Sequence, residues 1–164
     1  MKKILAFIMT SLIVVSMAAC SGKKDEATDH GSDVSENTLS YKLIISCNEI
    51  LENINHEQYG LKEEKKDIVP ADGIVLEKDA ICSEGSTAFD VVISELKKEK
   101  IHFDADDGYL NAFANLYAGD CCEFSGWMFF INGNLAEMGA SDTVVSENDV
   151  VEFKYIVDYN TLFY

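Results

Sequence analysis

One long amphipathic helix, opening at Thr87, stands among runs that are short, apolar and rich in β-branched and aromatic residues. Its start is written locally. Thr87 is a favoured N-cap, and Asp90 falls at the third helical position, where a carboxylate suits the helix dipole. Phe89, Val92, Ile93 and Leu96 then form an i, i+3, i+4, i+7 stripe, and Lys97, Lys98 and Lys100 complement the C-terminal end. A helix of this kind is expected to lie across a sheet with its stripe facing inward.

The runs around it supply the strands. Tyr41 to Cys47 reads as a first strand, after which Asn48 caps a short helix with Ile50, Leu51 and Ile54 on one face. No periodicity is clear from Asn55 to Asp67. Val69-Pro70-Ala71-Asp72-Gly73 is turn chemistry, and Ile74 to Ile81 follows as a second strand. Beyond the long helix, Ile101 to Asp104 and Tyr109 to Tyr117 read as two strands or one interrupted strand around the acidic turn Asp104 to Gly108. Gly126 to Ile131 precedes Asn132-Gly133, a strong hairpin signal because both residues tolerate the positive φ of a type I′ turn. The last strand, Val150 to Val157, alternates Val151, Phe153 and Tyr155 against Glu152 and Lys154. Strands, one long helix and then hairpins predict an α+β fold, a β-grasp-like mixed sheet with one main helix packed on one face.

The N-terminus belongs to a different physical class. Lys2 and Lys3 precede an apolar run, Ile4 to Val15, of signal-peptide length and too short for a confident membrane span. It ends in Ser16-Met17-Ala18-Ala19-Cys20, which resembles the lipobox of bacterial lipoproteins. That resemblance implies cleavage after Ala19 and a lipid anchor (a diacylglycerol thioether, with palmitate-type chains) on Cys20. The bland alternative is an ordinary secretory signal with Cys20 a chance free thiol. Acyl chains contribute about 0.8 kcal/mol per buried methylene, so two or three anchor a protein without a spanning helix. Residues 1–19 are thus read as a signal peptide, 20–39 as a lipidated cysteine and disordered acidic tether, and 40–164 as one domain on the extracytoplasmic face of a bacterial membrane.

Charge narrows the partners. The 164-residue chain carries 13 basic side chains, all lysine, against 29 acidic ones, for a net charge of −16. Without arginine there is no guanidinium fork, and the negative field repels phosphate, which argues against nucleic acid and anionic lipid surfaces. From Ser40 onward 24 acidic residues face 9 lysines, so the acidity belongs to the domain itself. A partner should be neutral, cationic or bound through an apolar platform.

Several segments in order, Val69-Pro70-Ala71-Asp72-Gly73-Ile74, Glu84-Gly85-Ser86-Thr87-Ala88-Phe89-Asp90, Ser125-Gly126-Trp127-Met128-Phe129-Phe130-Ile131-Asn132-Gly133, Gly139-Ala140-Ser141-Asp142 and Asn148-Asp149-Val150-Val151-Glu152-Phe153, carry a family resemblance. From about Tyr41 to Val157 the chain resembles the transcobalamin-like C-terminal domain family as found in bacterial surface lipoproteins. The vertebrate cobalamin carriers end in a related domain that covers one face of the corrin ring with the hairpin corresponding to Trp127 through Ala136. The resemblance implies a ligand- or partner-binding module, with Trp127, Phe129, Asn132, Gly133 and Leu135 as the candidate contacts. A corrinoid such as cobalamin is the sharpest candidate ligand, although those carriers also use a helical domain absent here. No cofactor is required.

Other chemistry is sparse. Trp127 is either core or a ligand contact, since alternation on its strand puts large apolar groups on both faces. Cys47, Cys82, Cys121 and Cys122 allow two disulfides, with Cys47–Cys121 and Cys82–Cys122 the preferred pairing and free thiols the alternative. Neither the cysteines nor His30, His56 and His102 have zinc-ligand spacing. Asp104 to Gly108 lacks the full calcium-loop pattern, and no catalytic motif is present, so the chain is read as a non-enzyme. Two rivals to small-ligand binding are a structural or adhesive module that binds a surface protein or wall polymer, and a redox module using Cys121 and Cys122.

Overall fold

In the computed structural model, which describes residues 37–163, the longest strand pairing joins β1 (Thr38–Ser46) to β2 (Ile74–Ser83) in antiparallel register. The signal-peptide and Cys20 readings lie outside the described residues. Thr38 and Leu39, assigned above to the tether, pair with Ser83 and Cys82 and so belong to the sheet.

On its other side β1 pairs in parallel with β8 (Asp149–Ile156), Tyr41 opposite Asp149 and Ser46 opposite Lys154. β8 in turn pairs antiparallel with β6 (Gly126–Ile131), and β6 with the short β7 (Asn134–Leu135). The five-stranded order is β2-β1-β8-β6-β7, a mixed sheet of the predicted β-grasp-like kind. No helix among the described residues is long and apolar enough to cross a membrane.

Two helices flank the sheet. The short α1 (Asn48–Asn53) follows β1, with Cys47 and not Asn48 at the cap position and Ile50 fully buried. The main helix, α2 (Ala88–Glu99), starts with a complete capping box: Asp90 N donates to Thr87 Oγ1 at 3.1 Å and Thr87 N donates to Asp90 Oδ2 at 3.1 Å. Its inward face differs from the predicted stripe. Ala88, Val91, Val92, Glu95 and Leu96 are buried, while Phe89 and Ile93 lie half-buried on the flanks. Val92 and Leu96 pack in one core with Tyr41, Leu43 and Ile45 of β1. Each such aliphatic side chain, fully withdrawn from water, contributes roughly 1.5–3 kcal/mol.

Glu95 reaches the inward face because its charge is met there. Lys78 Nζ of β2 lies 2.8 Å from one carboxylate oxygen and Lys98 Nζ 2.6 Å from the other. Burial works to raise the Glu95 carboxyl, but the two lysines outweigh it and hold the group below the usual carboxylate range.

A second sheet of three strands, β3 (Phe103–Asp106), β4 (Tyr109–Phe113) and β5 (Leu116–Tyr117), completes the fold. The predicted strand from Tyr109 to Tyr117 is broken at Ala114 and Asn115, whose φ values of 49° and 67° fold it into a hairpin. The acidic segment is a second tight hairpin, with Asp107 and Gly108 at φ 46° and 80° and Asp104 and Asp106 within β3. Phe113 carries this sheet into the main core.

Candidate ligand-binding groove

Trp127, Phe129 and Ile131 stand opposite Tyr155, Phe153 and Val151 of β8, so their side chains share the sheet face that carries the core. Trp127 is fixed on three sides. Its ring meets Phe113 edge to face at 4.7 Å and Tyr155 at 5.2 Å, and its indole Nε1–H donates to the Leu116 carbonyl at 2.8 Å. Phe129 stacks on Phe153 at 5.2 Å with an interplanar angle of 26°.

These rings floor a groove of about 360 Å³ between two hairpins. Tyr109 and Leu110 line it from the β3–β4 side, and Leu135 and Met138 from β7 and the loop after it. Tyr109 is 71% exposed and Met138 59%, which leaves an aromatic ring and a thioether at the rim over an aromatic floor. Pockets of this size lined mainly by apolar groups are the usual form of small-molecule sites.

Of the five residues read as ligand contacts, Trp127, Phe129 and Leu135 line the groove, and Asn132 and Gly133 do not. Those two form the type I′ turn at the tip, with φ of 52° and 78°. Asn132 Nδ2 donates to Asp149 Oδ1 at 2.8 Å, its Oδ1 accepts from Val150 N at 2.9 Å, and Gly133 N donates to Glu152 Oε2 at 3.1 Å. They tie the hairpin to β8. Tyr109 and Met138 were missed by sequence reasoning. The turn Asp107-Gly108 placed Tyr109 at a strand start, but nothing local linked that start to Leu135.

On the opposite sheet face, Phe130 is covered by Lys154, whose Nζ sits 4.6 Å from the ring centroid.

The cysteines are separate from the groove, and all four are free thiols. Cys47 and Cys121 share a small buried cluster with Ile50, Leu61 and Tyr155. Burial, with the charge of Asp72, pushes the Cys47 thiol up to about 11, and burial pushes Cys121 up to about 12 against the opposing hydrogen bond of Tyr155. The Cys82–Cys122 pairing is overturned by geometry. Cys82 lies opposite Leu39, whereas Cys122 Sγ donates at 3.0 Å to the Val157 carbonyl, past the Ser46 end of β1. Those ends are about 23 Å apart at the rise of a strand, against a bridging limit near 7 Å between Cα atoms. Among the described residues no cluster of three or more His, Cys, Asp or Glu side chains has metal-binding geometry.

The fold and groove define an α+β, β-grasp-like domain with an aromatic trough beside its main hairpin. Residues 85–156 match a family described only as a domain of unknown function, DUF4430. Among solved structures the chain is similar to haptocorrin, crystallised in complex with Cbi, at 13% identity and a TM-score of 0.52 over 74% of this chain. It spans a quarter of haptocorrin's length. It is also similar, at 12% identity and a TM-score of 0.39, to a Ruminococcus gnavus protein provisionally described as metal-binding, covering 72% of this chain and 96% of that one. No curated protein matches the sequence.

Proposed function

We propose that this protein is a non-catalytic binding module, held by a lipid on Cys20 at the outer face of a bacterial membrane, whose groove receives one face or edge of a large apolar-faced ligand. The observation that carries the reading is the pair of exposed side chains, Tyr109 and Met138, over the ordered floor of Trp127 and Phe129. Soluble domains seldom leave such groups grouped at one site without use. The acidic surface favours a neutral or cationic ligand, and the fold likeness to haptocorrin, together with the family resemblance of the sequence, supports a corrinoid as the ligand to test first. The anchor reading rests on the lipobox resemblance.

Calorimetric titration with cobinamide and with cobalamin tests this function. Saturable heat is expected from at least one, and Tyr109→Ala should weaken binding about tenfold, the effect of losing an aromatic anchor, with the melting temperature unchanged. Absence of heat from both at high micromolar ligand would remove the corrinoid, and an undiminished affinity in Tyr109→Ala would move the site out of the groove.

A further inference from the structure

We propose, on the reading of the groove as the ligand site, that Met138 is a modification site through which hydrogen peroxide controls binding: oxidation of its thioether to the sulfoxide makes the groove rim polar and lowers its affinity for an apolar-faced ligand.

Met138 is the exposed member of a pair. Both methionines among the described residues line the groove, but Met128 is half-buried within β6 whereas Met138 is 59% exposed. The chain is anchored on either side of Met138. Ala136 N donates to the Phe129 carbonyl at 3.0 Å, and the Gly139 carbonyl accepts from Asp142 N and from Thr143 Oγ1, each at 3.0 Å. The thioether between these anchors is held at the rim, with Tyr109 on the other wall and Trp127 and Phe129 in the floor.

The step balances with the peroxide alone. The sulfur lone pair attacks one peroxide oxygen, an S–O bond forms as the O–O bond breaks, and sulfur gives up two electrons. The departing hydroxide takes the proton of the transferred hydroxyl and leaves as water, so the products are the sulfoxide and water. A flexible apolar group becomes a polar one that must shed its water before an apolar face can close on the floor.

The rest of the domain leaves Met138 as the accessible reductant. Thiolates would compete for peroxide, but burial pushes Cys47 up to about 11 and Cys121 up to about 12 and raises Cys82 as well. Cys122 Sγ donates to the Val157 carbonyl at 3.0 Å, a contact that favours the protonated thiol. Hydrogen peroxide is uncharged, so a net charge of −16 does not repel it.

Peroxide treatment of the full-length protein tests the site. After exposure to millimolar hydrogen peroxide at neutral pH, peptide mapping should find the one-oxygen mass increase at Met138 well ahead of Met128 and of Cys47, Cys82, Cys121 and Cys122. The oxidised protein should bind the uncharged dye Nile red several-fold more weakly than the untreated one, and methionine sulfoxide reductases should restore the binding. Met138→Gln should bind the dye as weakly as the oxidised protein, and the binding shown by Met138→Leu should not change on peroxide treatment. Oxidation of Met128 as fast as Met138, no dye binding by the untreated protein, binding undiminished by oxidation, or an equal peroxide-induced loss in Met138→Leu would overturn the proposal. Cobinamide titrated in parallel scores the corrinoid reading separately: cobinamide failing to bind while dye binding falls on Met138 oxidation would remove the corrinoid and support the peroxide site.

Discussion

The indole Nε1–H of Trp127 donates to the Leu116 carbonyl at 2.8 Å and, with the Tyr155 hydroxyl donating to the Tyr117 carbonyl at 2.9 Å, joins the five-stranded sheet to the three-stranded one. Trp127 therefore supports the groove as well as lining it. Its edge-to-face neighbours, Phe113 and Tyr155, fix the ring plane so that a ligand would meet a preset floor.

Trp127→Phe keeps an aromatic ring but strands the Leu116 carbonyl. A loss of about 2 kcal/mol is expected for one half-buried hydrogen bond and the missing ring, or roughly 8 °C in melting temperature for a domain of this size. Thermal unfolding followed by circular dichroism measures it. An unchanged melting temperature would show that the bond contributes nothing.

Acid should weaken the fold through Glu95. A carboxyl whose folded-state pKa lies below its unfolded value stabilises the native state above the unfolded value, and that contribution disappears as pH falls through the lower folded one. Stability should therefore decline below the ordinary glutamate value of 4.5. Glu95→Gln should be less stable than wild type at pH 7 and show a shallower acid decline. Parallel pH profiles for the two proteins would contradict the assignment.

The buried thiols should be slow to react. With Cys47 pushed up to about 11 and Cys121 to about 12, almost no thiolate is present at neutral pH. Peptide mapping after alkylation is expected to find Cys47 and Cys121 unmodified in the native protein and fully modified after denaturation without reductant. A Cys47–Cys121 bridge recovered from unreduced protein would contradict free thiols at these positions.

What could be read from the sequence was local. Thr87 and Asp90 announced the helix start because a capping box spans only four residues, and Asn132-Gly133 announced its turn because two backbone angles suffice. The inward Glu95 was not legible, since its partner Lys78 arrives from a strand seventeen positions earlier and position 95 lies outside the apolar stripe of Phe89, Val92, Ile93 and Leu96. The groove was half legible. Trp127, Phe129 and Leu135 belong to one hairpin, whereas Tyr109 comes from another sheet and reaches the same trough only through tertiary packing. The Cys82–Cys122 pairing failed for the same reason: only the register of β1 with β2 and β8 separates the two ends.

Amide chemical-shift mapping with cobinamide tests the groove most directly. Saturable shifts are predicted at Tyr109, Phe129, Leu135 and Met138, with Asn132, Gly133, Tyr41 and Cys82 unmoved. No shift at excess cobinamide, or shifts confined to residues outside the groove, would contradict the assignment of this trough as the ligand site.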